Sequence, residues 1–184
     1  LSPDGDDLVI GGQPGVIHRY DAQTGSALAP LFEIERYVVA LAYSPDGNYL
    51  GFVGGQCGYM HLPTGRIHLG ASARATHISK PAFSPDGRWF VYSPFDGTIQ
   101  VMDLKNPDKW QVIEGNKASA KYLSFSADSR TLAGGDRSGL VRLWDMATFR
   151  ELANFPLDRF CAFSPDGRTL IGGALEISVL QLAK

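Results

Sequence analysis

The chain has 184 residues, 44% of them hydrophobic and 20% charged, with a formal net charge of −2. This balance excludes the basic footprint of a dedicated nucleic-acid binder, and no apolar run approaches the roughly 20 residues that span a bilayer. Two cysteines, Cys57 and Cys161, exclude a disulfide scaffold and a paired-thiol zinc site, while 21 Gly and 11 Pro predict many tight turns in place of long helices.

Ser-Pro-Asp-Gly opens the chain at 2–5 and returns at 44–47, 84–87 and 164–167, with a decayed copy, Ser126-Ala127-Asp128-Ser129, between the last two; successive starts lie 42, 40, 42 and 38 residues apart. Ser, Pro, Asp and Gly in that order match a type I turn, with Pro presetting φ and Gly accepting the positive φ that follows. The decayed copy places Ser129 in the left-handed region, at a cost of roughly 1–2 kcal/mol.

Short apolar runs flank each turn. The runs before it end at Tyr43, Phe83, Phe125 and Phe163, with Leu1 in that place in the first copy. The runs after it begin at Leu8, Tyr49, Trp89, Thr131 and Thr169, and four of them close on Gly pairs at Gly11, Gly54, Gly134 and Gly172. Third runs cover Val16 to Tyr20, Gly58 to Leu62, Thr98 to Met102, Leu140 to Trp144 and Ile177 to Leu180; fourth runs cover Ala27 to Phe32, Ile67 to Leu69, Trp110 to Ile113 and Glu151 to Phe155. Each has the length and the β-branched and aromatic content of a strand. Four strands per unit of about 40 residues predict an all-β fold of four-stranded antiparallel propeller blades.

The segment Phe125 to Asp145, FSADSRTLAGGDRSGLVRLWD, resembles the WD-repeat β-propeller family and carries its Trp144-Asp145 pair. Elsewhere Tyr20, Met60, Met102 and Leu180 take the Trp place, with Asp21 and Asp103 following two of them. These divergent copies also resemble bacterial propellers. The hydrogen-bonded Asp-His-Ser/Thr-Trp network of the family's better blades is broken here. Asp96 holds the turn position without a Trp to serve, Ser138 stands at that position for Trp144, and His77 is spaced too close to Ser84. Apolar packing is therefore expected to hold the blades.

With strands labelled a to d from the axis outward, the units fall at 1–36 (b, c and d), 37–76, 77–117, 118–157 and 158–184 (a, b and c). The resemblance implies a ring commonly of seven blades, on the order of 290 residues. The segment is thus expected to be the C-terminal part of a larger propeller, an incomplete ring whose missing blades come from the same protein or a second chain.

The chemistry-bearing residues are sparse. His18, His61, His68 and His77 lack metal-ligand spacing, and Asp4, Asp6 and Asp7 lack the calcium-loop pattern. There is no nucleophile elbow, and the Gly pairs sit in no phosphate-loop context. Neither catalysis nor a cofactor or metal is expected. In the family, the loops joining fourth to first and second to third strands share one face. Tyr37, Arg74, His77, Phe95, Arg137 and Arg159 lie in these loops and are the candidate partner-binding residues, aromatic and arginine side chains being enriched at interface hot spots. A plain solvated rim is the alternative for each.

The leading expectation is a non-catalytic interaction scaffold or sensor with a protein or peptide partner on that face, without nucleic acid or membrane, in the cytoplasm. The propeller half of an enzyme whose catalytic domain lies elsewhere, and a TolB-like periplasmic propeller, are the alternatives.

Overall fold

The computed structural model describes residues 1–70, 79–114, 120–136, 138–157, 160–173 and 177–181. Among them every regular element is a strand, and the strands form five separate antiparallel sheets in chain order. Blade 1 holds β1 (Asp7–Gly11), β2 (Val16–Asp21) and β3 (Ala27–Glu33). Blade 2 holds β4 (Val38–Tyr43), β5 (Tyr49–Gly54), β6 (Gly58–His61) and β7 (Arg66–Leu69). Blade 3 holds β8 (Ala82–Phe83), β9 (Trp89–Tyr92), β10 (Ile99–Asp103) and β11 (Trp110–Ile113). Blade 4 holds β12 (Ala120–Phe125), β13 (Thr131–Asp136), β14 (Val141–Asp145) and β15 (Glu151–Phe155). Blade 5 holds β16 (Phe160–Phe163), β17 (Thr169–Gly173) and β18 (Ile177–Gln181). Consecutive blades lie side by side, β4 against β1 and β8, and β12 against β8 and β16. Among the described residues the fifth sheet does not pair with the first, so these blades form an incomplete propeller without ring closure.

The turns explain why the chain folds back on schedule. In each copy the fourth residue donates its N–H to the carbonyl of the first, as with Gly47 to Ser44 at 3.0 Å and Gly87 to Ser84 at 3.0 Å. The serine hydroxyl donates to the turn aspartate and accepts the N–H that starts the next strand, Tyr49 to Ser44 at 2.9 Å and Trp89 to Ser84 at 2.8 Å. The fourth position has positive φ throughout: +84° at Gly5, +73° at Gly47, +68° at Gly87 and Gly167, and +61° at Ser129. Glycine suits that conformation because it carries no Cβ.

The core is not central. It consists of four clusters, one between each pair of neighbouring blades. Ile17, Val38, Leu50 and Phe52 fill the first; Val53, Cys57, Tyr59, Phe90 and Tyr92 the second; Val91, Ile99, Val101, Leu132 and Trp144 the third; Ala133, Val141, Leu143, Cys161 and Leu170 the fourth. Burying each such large side chain contributes about 1.5–3 kcal/mol. Trp144 is fully buried, yet its Nε1 has no hydrogen-bond partner among the described residues. The indole acts here as an apolar wedge, packed so close to Gly134 that a Cβ there would come within 2.8 Å of it.

Candidate functional site: the loop face

The loops that precede first strands and those that join second to third strands interlock on one face. Gly12 accepts the N–H of Val38 at 3.0 Å, which ties blade 1 to the start of blade 2. Gln56 Oε1 accepts the N–H of Glu35 at 3.2 Å. The Tyr37 carbonyl accepts the Gly55 N–H at 2.9 Å, and a Cβ on Gly54 would fall on that same carbonyl oxygen. Arg36 holds φ at +82°, and its side chain lies over Gly55. The peptide between Gln13 and Pro14 is cis.

A second knot centres on buried Ser93. Its N–H donates to Ser79 Oγ at 2.7 Å, and its hydroxyl donates to the Thr98 carbonyl at 2.8 Å. The same hydroxyl accepts the N–H of Ala120 at 3.0 Å and so ties blade 3 to blade 4. The Asp96 carboxylate closes the neighbouring turn by accepting from the Thr98 N–H at 2.9 Å and from its hydroxyl at 2.7 Å. Asp136 repeats that pattern with Ser138, but is fully buried with Oδ2 unpartnered among the described residues.

Of the candidates from sequence, Tyr37 is half-buried within the first knot, and Phe95 stands at a turn tip with 61% of its surface exposed. Arg74, His77, Arg137 and Arg159 lie outside the described residues. Sequence reasoning passed over Ser93 and Asp136. The Asp-x-Ser/Thr pattern ahead of the third strands of blades 3 and 4, at Asp96-Gly97-Thr98 and Asp136-Arg137-Ser138, was the available signal for Asp136.

His61 Nδ1 lies 2.7 Å from Thr64 Oγ1, and the His68 ring stacks on Tyr59 with centroids 5.1 Å apart. Burial, then the neighbouring Arg66 cation, lowers the pKa of His68. The described residues contain no cluster of three or more His, Cys, Asp or Glu arranged to hold a metal. Burial pushes the Cys57 thiol up to about 11 and the Cys161 thiol to about 12, so neither supplies a ready thiolate. On the opposite face, an open cleft of about 300 Å³ lies between blades 3 and 4, bordered by Asp86, Arg88, Trp89, Ser129 and Asp145. Arg88 lies over the Trp89 ring at 4.3 Å.

Blades of four antiparallel strands stacked through apolar faces define a β-propeller architecture. Residues 109–145, which span the blade ending in Trp144-Asp145, match the family model for the WD domain, G-beta repeat. The chain is 29% identical over 171 residues to an uncharacterized WD repeat-containing protein of Synechocystis, covering 88% of this chain and 48% of that one. It is 25% identical over 146 residues to the target of rapamycin complex subunit Wat1 of Schizosaccharomyces pombe, covering 76% of this chain and 45% of Wat1. It is 29% identical over 123 residues to protein groucho of Drosophila melanogaster, covering 64% of this chain and 17% of groucho. The chain is thus similar to WD-repeat proteins, and it spans about half the length of the first two of these relatives.

Proposed function

We propose that the chain is a non-catalytic scaffold or sensor module that binds a protein or peptide through its loop face. The observation that carries this reading is the interlocked loop face. Hydrogen bonds accepted by Gly12, Gln56 and Ser93 fix loops of adjacent blades against one another, and Phe95 projects from that frame. A rigid frame presenting an exposed aromatic lowers the ordering cost of binding. Wat1 is by its name a subunit of a complex, which supports assembly as the role. Burial of Cys57 and Cys161, with thiols pushed up to about 11 and about 12, fits a packing role for both. Blades supplied by the same protein or by a second chain complete the propeller, and the module works in the cytoplasm.

The test is capture of a partner by the wild-type chain, followed by affinity measurements on variants. At least one of Tyr37→Ala, Arg74→Ala, Phe95→Ala and Arg137→Ala costs roughly 2 kcal/mol of binding, whereas Arg88→Ala in the opposite cleft leaves affinity unchanged. Loss of binding on Arg88→Ala alone moves the site to the cleft. Turnover by the purified chain, abolished by changing one of its own His, Asp or Cys residues, overturns the non-catalytic reading.

A further inference from the structure

Four fourth strands, β3, β7, β11 and β15, end their sheets with one side unpaired among the described residues. Such an edge is a template for another strand, and proteins blunt it with charge, proline or a bulge. Three of the four are blunted. β3 contains Pro30 and slips register between Ile17 and Arg19. β15 begins with Glu151 and slips register opposite Leu143 and Trp144. β7 carries Arg66 and His68. β11 has none of these devices. Its sequence, Trp110-Gln111-Val112-Ile113, holds no charge and no proline, and it pairs with β10 without a shift. Its aromatic and β-branched residues also favour an extended backbone.

The geometry of that edge is specific. The Asp103 N–H donates to the Lys109 carbonyl at 3.3 Å. Antiparallel ladders alternate, so Gln111 and Ile113 also turn their backbone groups toward β10, at Val101 and Ile99. The N–H and carbonyl groups of Trp110 and Val112 therefore point to the open side. The side chains of the same two residues share one face of the sheet, and each residue is 44% exposed. Lys109 and Glu114, both exposed, flank the strand with opposite charges.

We propose that β11 is the docking edge for an extended segment of a partner protein, which adds antiparallel as a fifth strand of blade 3. The segment places apolar side chains opposite Trp110 and Val112, a basic residue opposite Glu114 and an acidic one opposite Lys109. From its N-terminus it therefore reads basic, any, apolar, polar, apolar, acidic. Strand addition takes its affinity from main-chain hydrogen bonds and its specificity from alternate side chains. A second copy of this chain fits less well: antiparallel pairing with Trp110 opposite Val112 sets Asp108 against Glu114 at both ends. This edge is a surface separate from the loop face, so failure of one leaves the other standing.

The probe is the end-capped peptide Lys-Thr-Val-Thr-Val-Glu, titrated into the intact protein while amide hydrogen exchange and iodide quenching of tryptophan fluorescence are followed. Trp89 and Trp144 are buried, so quenching reports on Trp110. The peptide is expected to slow exchange at the Trp110 and Val112 amides and to shield Trp110 from iodide, both saturably. Val112→Pro removes one outward N–H and no bond to β10, so it weakens peptide binding about tenfold. Val112→Lys restores a charged edge on an unchanged backbone and weakens it likewise. Melting temperatures near that of wild type show that the fold is kept in each. No protection at the highest soluble peptide concentration overturns the proposal, as does full binding to Val112→Lys. Protection that rises with protein concentration in the absence of peptide also overturns it, and assigns the edge to a second copy.

Discussion

The hydroxyl of Ser129 accepts a hydrogen bond from the backbone N–H of Asp86 at 3.0 Å, joining the turn of blade 4 to the turn of blade 3. Ser129 occupies the place that glycine holds in the other turns, at φ +61°. Phe149 does the same on the next connection. It sits at φ +58°, where Gly25 and Gly65 stand in blades 1 and 2, and its ring meets Trp89 of blade 3 edge-on at 5.5 Å. In both places a strained backbone is retained with a side chain that reaches the neighbouring blade. The sequence alone displays only the strain, because the compensating contact lies about 43 residues away for Ser129 and 60 for Phe149.

That pairing orders the Ser129 variants. Ser129→Ala keeps the left-handed strain and loses the hydrogen bond, so it lowers stability by about 1 kcal/mol. Ser129→Gly loses the same bond but relieves roughly 1–2 kcal/mol of strain, and ends near wild type. Urea unfolding gives the order; alanine at least as stable as glycine contradicts it.

The turn serines are a second point of leverage. Ser84 is fully buried, donates to Asp86 and accepts the N–H of Trp89. Ser84→Ala leaves that buried N–H without its acceptor and costs about 1–3 kcal/mol. The same change at a surface serine such as Ser26, which is exposed, costs far less. Equal midpoints for the two variants would contradict the role assigned to the hydroxyl.

These turns also set the acid limb of stability. A hydrogen bond from Ser126 holds the Asp128 carboxyl below its ordinary 3.8, and Ser2 and Ser164 do the same for Asp4 and Asp166. Thr148 does so for Asp145. A carboxylate with a depressed folded pKa contributes stability that is full above the unfolded value and is lost as pH falls through the folded one. Melting temperature is therefore flat near neutrality with respect to these groups and drops below pH 3.8. The Asp128→Asn variant shows a shallower drop; an unchanged acid limb contradicts the assignment.

Burial of Cys57 and Cys161, with thiols pushed up to about 11 and about 12, predicts slow labelling by a thiol reagent in the native state and fast labelling after unfolding. Rapid native labelling of either would place it at an accessible site.

The turns, the positive-φ glycines and the strand runs were legible because Ser-Pro-Asp-Gly and the β-branched runs act within a few residues of themselves. Trp144 as an unpaired wedge followed from the missing partners around it. Ser93 and Asp136 were not legible as site elements: Ser93 matters through Ala120, which is 27 residues away, and Asp136 through its burial. Tyr37, a candidate partner-binding residue from sequence, has a half-buried side chain, and its carbonyl also accepts the N–H of Gly55, a contact that the sequence does not display.

The most direct measurement places a photo-crosslinking residue at position 95 on the loop face and, separately, at position 88 beside the opposite cleft, in cells that express the chain. Position 95 is expected to capture a discrete protein partner that position 88 does not. Capture from position 88 with none from position 95 would contradict binding through the loop face.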